Sequence, residues 1–198
     1  MGPSTYKLEP GDTLMIYPDD NNIYIIIEGI LIINKLFSNN EKFSSDIIYK
    51  GHIIRDLFQK RNIYNYCNEI TPLSTTYIMS ISDRSPNLYK EFHKVSYVDT
   101  TVSKMSLLSL WTHKNIKHRI IHLLLILYEI NGQSYRQSLT IDIKLSYKVV
   151  AIITGSTSST VSSIIQKLQD DNIIIYTNQQ IIIKNIFLLN AYTLGIIH

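Results

Sequence analysis

Residues 145–184, LSYKVVAIITGSTSSTVSSIIQKLQDDNIIIYTNQQIIIK, constrain the fold more than any other stretch of the chain. Ser146 offers its hydroxyl as the N-cap of a helix that carries Val149, Val150, Ile152 and Ile153 and ends at Thr154-Gly155. A second helix follows, with Val161, Ile164, Ile165 and Leu168 spaced so that one face is apolar. A tight turn between two crossed helices needs a residue without Cβ crowding, and Gly155 stands there. The small Ala151 lets the two helices approach closely. Asp170-Asp171-Asn172 ends the second helix, and 173–176, Thr177-Asn178-Gln179 and 180–184 then read as strand, turn and strand. Two crossed helices followed by a β-hairpin form the pattern of a winged helix-turn-helix, whose expected partner is double-stranded DNA. A helical hairpin that only packs is the competing reading.

Upstream, the first 87 residues read as short strands. They cover 14–17 after the Pro10-Gly11-Asp12 turn, 23–28 ended by Gly29, 30–36, 43–49 and 74–81. Such spacing suits a sandwich or roll better than βαβ units. From about residue 88 the apolar period lengthens. Val95, Val98, Val102 and Met105 recur at three, four and three residues, a helical seam that predicts pairing across a dimer, with a core-facing helix as the alternative. A second helix, 116–130, is strongly apolar and stops at Asn131-Gly132, and 139–144 alternates as a half-buried strand. The expected class is α+β. Its parts are a β-roll over 1–87, a long dimerisation helix and hinge over 88–115, and a winged helix-turn-helix over 116–198.

Composition narrows the function. With 45% hydrophobic and 18% charged residues the chain is globular rather than disordered. Its net charge of +3 permits a nucleic-acid partner without requiring one. Cys67 is the single cysteine, which excludes an internal disulfide. The N-terminus has no signal-peptide pattern and no apolar run reaches the roughly 20 residues of a membrane span, so a soluble protein with no membrane partner is expected. No phosphate-binding loop, dinucleotide fingerprint or nucleophile elbow occurs, so nothing points to an enzyme. His118 and His122 have the i, i+4 spacing of a zinc pair, but no glutamate follows His118 and no third ligand is evident, so no metal is expected. The 36 isoleucines and 15 asparagines, against 2 alanines, match AT-rich codons and favour an organelle or a reduced genome.

Taken together, several segments resemble the Crp/Fnr family of transcription regulators, particularly the nitrogen regulator NtcA and its plastid-encoded relatives. They are Ile141-Asp142-Ile143-Lys144-Leu145-Ser146, Gly155-Ser156-Thr157 with Thr160-Val161, Leu123-Leu124-Leu125-Ile126-Leu127, Pro10-Gly11-Asp12 and residues 24–29. The resemblance spans about residues 8–187 and is loose between 50 and 100. It implies a sensor β-roll of the cyclic-nucleotide-binding jelly-roll type, a homodimer through Val95, Val98, Val102 and Met105, and a palindromic DNA site. RNA polymerase is a further implied partner, and the plastid the implied location, with the cytoplasm as the alternative. DNA would be met by Thr157, Ser158, Ser159, Thr160, Ser162, Ser163 and Lys167 on the second helix and by Thr177, Asn178 and Gln179 on the wing. Lys148 and Lys184 are further backbone candidates.

The departures carry weight too. The arginines with which the family reads guanine correspond to Ser158 and Ser163 here. Gly51-His52-Ile53-Ile54-Arg55-Asp56 lacks the family's Gly-Glu pair, and no arginine stands between Asn62 and Tyr77 to take a cyclic phosphate. The positions that hold 2-oxoglutarate in NtcA correspond to Thr100 and Met105, neither of which neutralises a dicarboxylate. No cofactor is therefore expected: neither cyclic nucleotide nor 2-oxoglutarate has its residues. A degenerate ligand-sensing or scaffolding dimer without specific DNA binding is the alternative function.

Overall fold

Burial alternates along residues 22–27 and 76–80, as period-two strands half in contact with a core demand, whereas residues 30–34 are buried in succession. In the computed structural model, residues 3–55, 65–82, 105–135, 138–177 and 179–193 are described. The chain divides into two units, Met1–Ser106 and Leu107–His198. The first contains β1 (Ser4–Leu8), β2 (Leu14–Ile16), β3 (Asn22–Glu28), β4 (Ile30–Phe37) and β5 (Lys42–Tyr49). It continues with β6 (Ile53–Ile54), β7 (Tyr66–Pro72), β8 (Thr76–Ser82) and β9 (Met105–Ser106). These pair antiparallel in two sheets, ordered β1-β8-β3-β6 and β2-β7-β4-β5-β9. Tyr24, Ile26, Ile54 and Ile78 of the first sheet pack with Ile16, Leu31, Ile33, Ile48 and Ile70 of the second. Each such side chain contributes about 1.5–3 kcal/mol by leaving water.

Two details fix this roll. Gly29, at φ 99°, turns the chain between β3 and β4 where a Cβ would stand 2.2 Å from Thr76 Oγ1. On the second sheet a polar cluster fastens β4, β5 and β7: Ser44 Oγ donates to Asn34 Oδ1 at 2.6 Å, and Lys42 Nζ reaches Glu69 at 2.6 and 2.8 Å. Buried polar groups keep their place only when partnered in this way.

The second unit opens with a 3-10 helix, Leu107–Thr112, followed by α1 (Ile116–Asn131), β10 (Gly132–Tyr135) and β11 (Ser138–Ile141). Then come α2 (Tyr147–Thr154), α3 (Ser158–Asp170), β12 (Ile174–Tyr176), β13 (Ile181–Ile183) and α4 (Ile186–Thr193). The sheet order is β10-β11-β13-β12, so the wing hairpin is joined to β11 through β13. Ile120, Ile121, Leu123, Leu124 and Leu127 of α1 are buried with Val150, Ile153, Val161, Ile165 and Leu168 of the two crossed helices. Among the described residues, no single helix is long and apolar enough to cross a membrane.

The structure departs from the expected layout in the hinge. Residues 105–112, read as the end of a long dimer helix, form an edge strand and a 3-10 turn instead. Met105 sits opposite Ile47 on the edge of β5, and the backbone bonds of that ladder compete with helix formation. Leu107 and Leu110 are buried at the i, i+3 spacing of the tighter helix. Thr112 donates its hydroxyl to Ser109 O at 2.8 Å, a local bond of the kind that ends helices. The units part at 106/107, where 87/88 and 115/116 were expected. Val95, Val98 and Val102 lie outside the described residues. Two elements of the second unit, β10 and α4, were not anticipated from sequence.

Candidate nucleic-acid interface

The turn between α2 and α3 is built as its residues require. Ser146 Oγ accepts from Val149 N at 3.3 Å and starts α2. Gly155, at φ 63° and ψ 48°, ends it in the left-handed conformation, and the two helices meet at 107°. A Cβ at Gly155 would lie 2.4 Å from Trp111 Cη2, so glycine is needed for space as well as for backbone angle. The Arg119 guanidinium lies 4.4 Å over the Trp111 ring. Its Nη1 donates to Thr154 O at 3.1 Å and its Nε to His113 O at 2.9 Å. Arg119 thus satisfies a terminal carbonyl of α2 with a positive charge, favourable at a helix C-terminus.

Thr157 is the N-cap of α3, its Oγ1 accepting from Thr160 N at 3.2 Å and lying 2.9 Å from both Ser159 Oγ and Thr160 Oγ1. Its hydroxyl therefore orders the first turn. Ser158, Ser159, Ser163, Gln166 and Lys167 are exposed, while Thr160 and Ser162 are half-buried. Val161, Ile165 and Leu168 face inward, and Ile164, expected in the core, is only half-buried. The first turn of α3 carries no carboxylate. Its positive dipole end and amide groups are thus open to an anion such as phosphate.

The wing is fastened to α3 rather than hanging from it. Tyr176 N donates to Gln169 Oε1 at 2.8 Å, and Tyr176 Oη donates to Leu145 O at 2.8 Å. Burial, then the nearby Tyr147, hold the Tyr176 phenol above its ordinary value, so it remains a donor. Thr177 Oγ1 accepts from Gln180 N at 3.1 Å and donates to Gln180 O at 2.9 Å, closing the hairpin turn. Thr177 and Gln179 are exposed; Asn178 lies outside the described residues. Lys184 Nζ donates to Asn172 Oδ1, which ties one candidate backbone contact to the end of α3, whereas Lys148 and Lys167 are exposed. Charge is unevenly divided: residues 107–198 hold eight basic and four acidic side chains, residues 1–106 eleven and twelve.

Of the sequence-predicted set, Ser158, Ser159, Thr160, Ser162, Ser163 and Lys167 share α3, Thr157 caps it, and Thr177 and Gln179 stand at the tip of the hairpin next in the chain. The supporting residues Trp111, Arg119, Gln169 and Tyr176 were not found by sequence reasoning, because each acts through a partner distant in sequence. His113, which spacing alone did not link to either, lies near both histidines of α1, its ring 6.1 Å from that of His118 and 5.1 Å from that of His122. His122 Nδ1 lies 3.0 Å from His113 Nε2, one ring donating to the other.

Residues 118–192 match the Crp-like helix-turn-helix domain family. A Porphyra purpurea protein that carries the name HTH-type transcriptional regulator ycf28 is 27% identical over 191 residues, covering 93% of this chain and 80% of that relative. A transcriptional regulator of the CRP family from Thermus thermophilus, TTHB099, superposes with a TM-score of 0.70 at 14% identity, covering 95% of this chain and 96% of that one. A mutant of CooA from Carboxydothermus hydrogenoformans gives 0.68 at 15% identity, covering 96% and 88%. Residues 118–192 thus form a Crp-like helix-turn-helix domain, and the chain as a whole is similar to transcription regulators of the Crp/Fnr family.

Within a Crp/Fnr frame the departures at Ser158 and Ser163 are confined to exposed positions. The capping residues Ser146 and Thr157, the turn at Gly155 and the inward face of α3 are complete. The exposed face of α3 departs from the family's arginines while its support is complete. The Porphyra purpurea and Thermus thermophilus relatives both carry the names of transcriptional regulators rather than of enzymes.

Proposed function

We propose that the chain binds double-stranded DNA as a homodimer at a palindromic site, with α3 in the major groove and the wing hairpin on the adjacent backbone. The observation that carries this reading is the 107° crossing of α2 and α3 with an exposed, carboxylate-free N-terminal half on α3. Ser158, Ser159, Ser162 and Ser163 touch base edges, while Thr157, Thr160, Lys167, Thr177, Asn178 and Gln179 hold phosphates and sugars. Two such helices in a dimer reach successive major grooves about 34 Å apart. RNA polymerase is its partner in transcription, and the likeness to NtcA supports a nitrogen-related set of genes. The isoleucine- and asparagine-rich composition and the Porphyra purpurea relative support action in the plastid.

Serine discriminates bases poorly where a bidentate arginine contact contributes about 1–3 kcal/mol. The serines at 158 and 163 therefore favour a second reading, a dimer that has lost specific DNA binding. Selection from random duplexes, followed by a salt titration, separates the two. A DNA-binding dimer enriches a palindrome, and its affinity falls by about a thousandfold between 50 and 200 mM salt as counterions are released. No enrichment at low salt would establish the second reading instead.

A further inference from the structure

On α3, Val161, Ile165 and Leu168 face inward. At 100° per residue the stripe directly opposite is Ser159, Ser163, Gln166 and Asp170, all exposed. On that stripe Gln166 is the one side chain that presents a donor and an acceptor side by side in a plane. Its Nε2 donates to Asp170 Oδ1 at 2.8 Å. A carboxylate accepts only, so this bond fixes which end of the amide is nitrogen and leaves Oε1 and the second N–H directed away from Asp170. Asp170 itself stands in the last turn of the helix, where the dipole disfavours a carboxylate. The neighbouring glutamine along the chain, Gln169, is committed to the wing through Tyr176 N.

We infer that Gln166, held by Asp170, is a specificity-determining residue that selects an adenine in each half-site. This rests on the reading that α3 enters the major groove. Adenine presents N6–H and N7 there, and a glutamine amide meets both, Oε1 accepting from N6–H while Nε2–H donates to N7. Serines at 159 and 163 place no long side chain between the helix and the base edges, so the backbone can lie close to the groove floor. Gln166, one turn further along, is then the first side chain on the stripe long enough to reach a base edge. A surface Gln–Asp pair that only steadies the helix is the alternative, since i, i+4 pairs of this type do so.

The test is selection from random duplex DNA with the full chain, comparing wild type, Gln166→Ala and Asp170→Ala, with circular dichroism to confirm that each variant is folded. Wild type should enrich a palindrome with one adenine per half-site whose replacement lowers affinity about tenfold or more. Gln166→Ala should keep the rest of the palindrome and lose preference at that one base pair, and Asp170→Ala should weaken the same preference. Identical enriched sites for wild type and Gln166→Ala would overturn the assignment while leaving DNA binding intact. Failure of wild type to enrich any duplex would overturn the DNA-binding reading and this inference with it.

Discussion

At Gly155 two independent requirements fall on one residue: a φ of 63° and a Cα that faces the Trp111 ring. Gly155→Ala should cost about 2–4 kcal/mol, combining left-handed backbone strain with overpacking against the indole. Urea unfolding would register this as a lower midpoint, and DNA binding should fall with it because the angle of α3 is set at this turn. Ser163 makes the opposite test, being exposed on the half of α3 proposed to face the groove. Ser163→Glu should change the unfolding free energy by no more than about 0.5 kcal/mol and abolish a gel shift by setting a carboxylate against the phosphates. The glycine was legible in the sequence because a residue that must lack a Cβ is visible in any window. Its neighbour Trp111 was not, since nothing local announces which ring will cover a turn so much later in the chain.

Helix α1 carries a titratable cluster on its first two turns. Burial first, and then the nearby charge of His113, lower the His122 pKa below its usual value; burial, Lys117 and His113 do the same for His118. Arg119, from the same helix, lies against Trp111, and the Lys117 ammonium is 4.9 Å from the Tyr192 ring of α4. A histidine with a depressed folded pKa binds its proton more readily when unfolded. Its contribution is whole above the unfolded value of about 6.5 and is lost as pH falls through the folded value. The thermal midpoint of the second unit should therefore drop between about pH 7 and pH 5, and His122→Gln should flatten that slope. Elements of strong period, such as the apolar α1 and the amphipathic α3, could be read from spacing alone. Strand β10 could not, since Gly132-Gln133-Ser134-Tyr135 acquires its ladder only from β11. The same holds for the 3-10 turn at 107–112, where edge pairing of Met105 overrides the helical spacing.

For the whole molecule, the division of charge matters more than the total of +3. The winged unit carries +4 from eight basic and four acidic side chains, and the roll unit −1. A polyanion is thus drawn to one unit, with steering that weakens as salt rises. The dimer proposed through Val95, Val98 and Val102 adds a second such surface. Val98→Lys should convert a sedimenting dimer to a monomer and cost the full chain its preference for palindromes over single half-sites. That seam came from sequence spacing, whereas the two-sheet roll was legible in outline because runs of five to eight residues between turns leave few other ways to bury so many isoleucines.

The residues that hold α3 in place, Thr157, Gly155, Val161, Ile165, Leu168 and the Gln169–Tyr176 bond, are distinct from those on its outer stripe. Mutational drift on that stripe is therefore nearly invisible to folding. A lineage carrying this architecture can exchange one target sequence for another by successive single substitutions, each intermediate remaining folded. If α3 enters the groove as proposed, the serines at 158 and 163 give it low commitment to any one operator, on a scaffold whose support is complete.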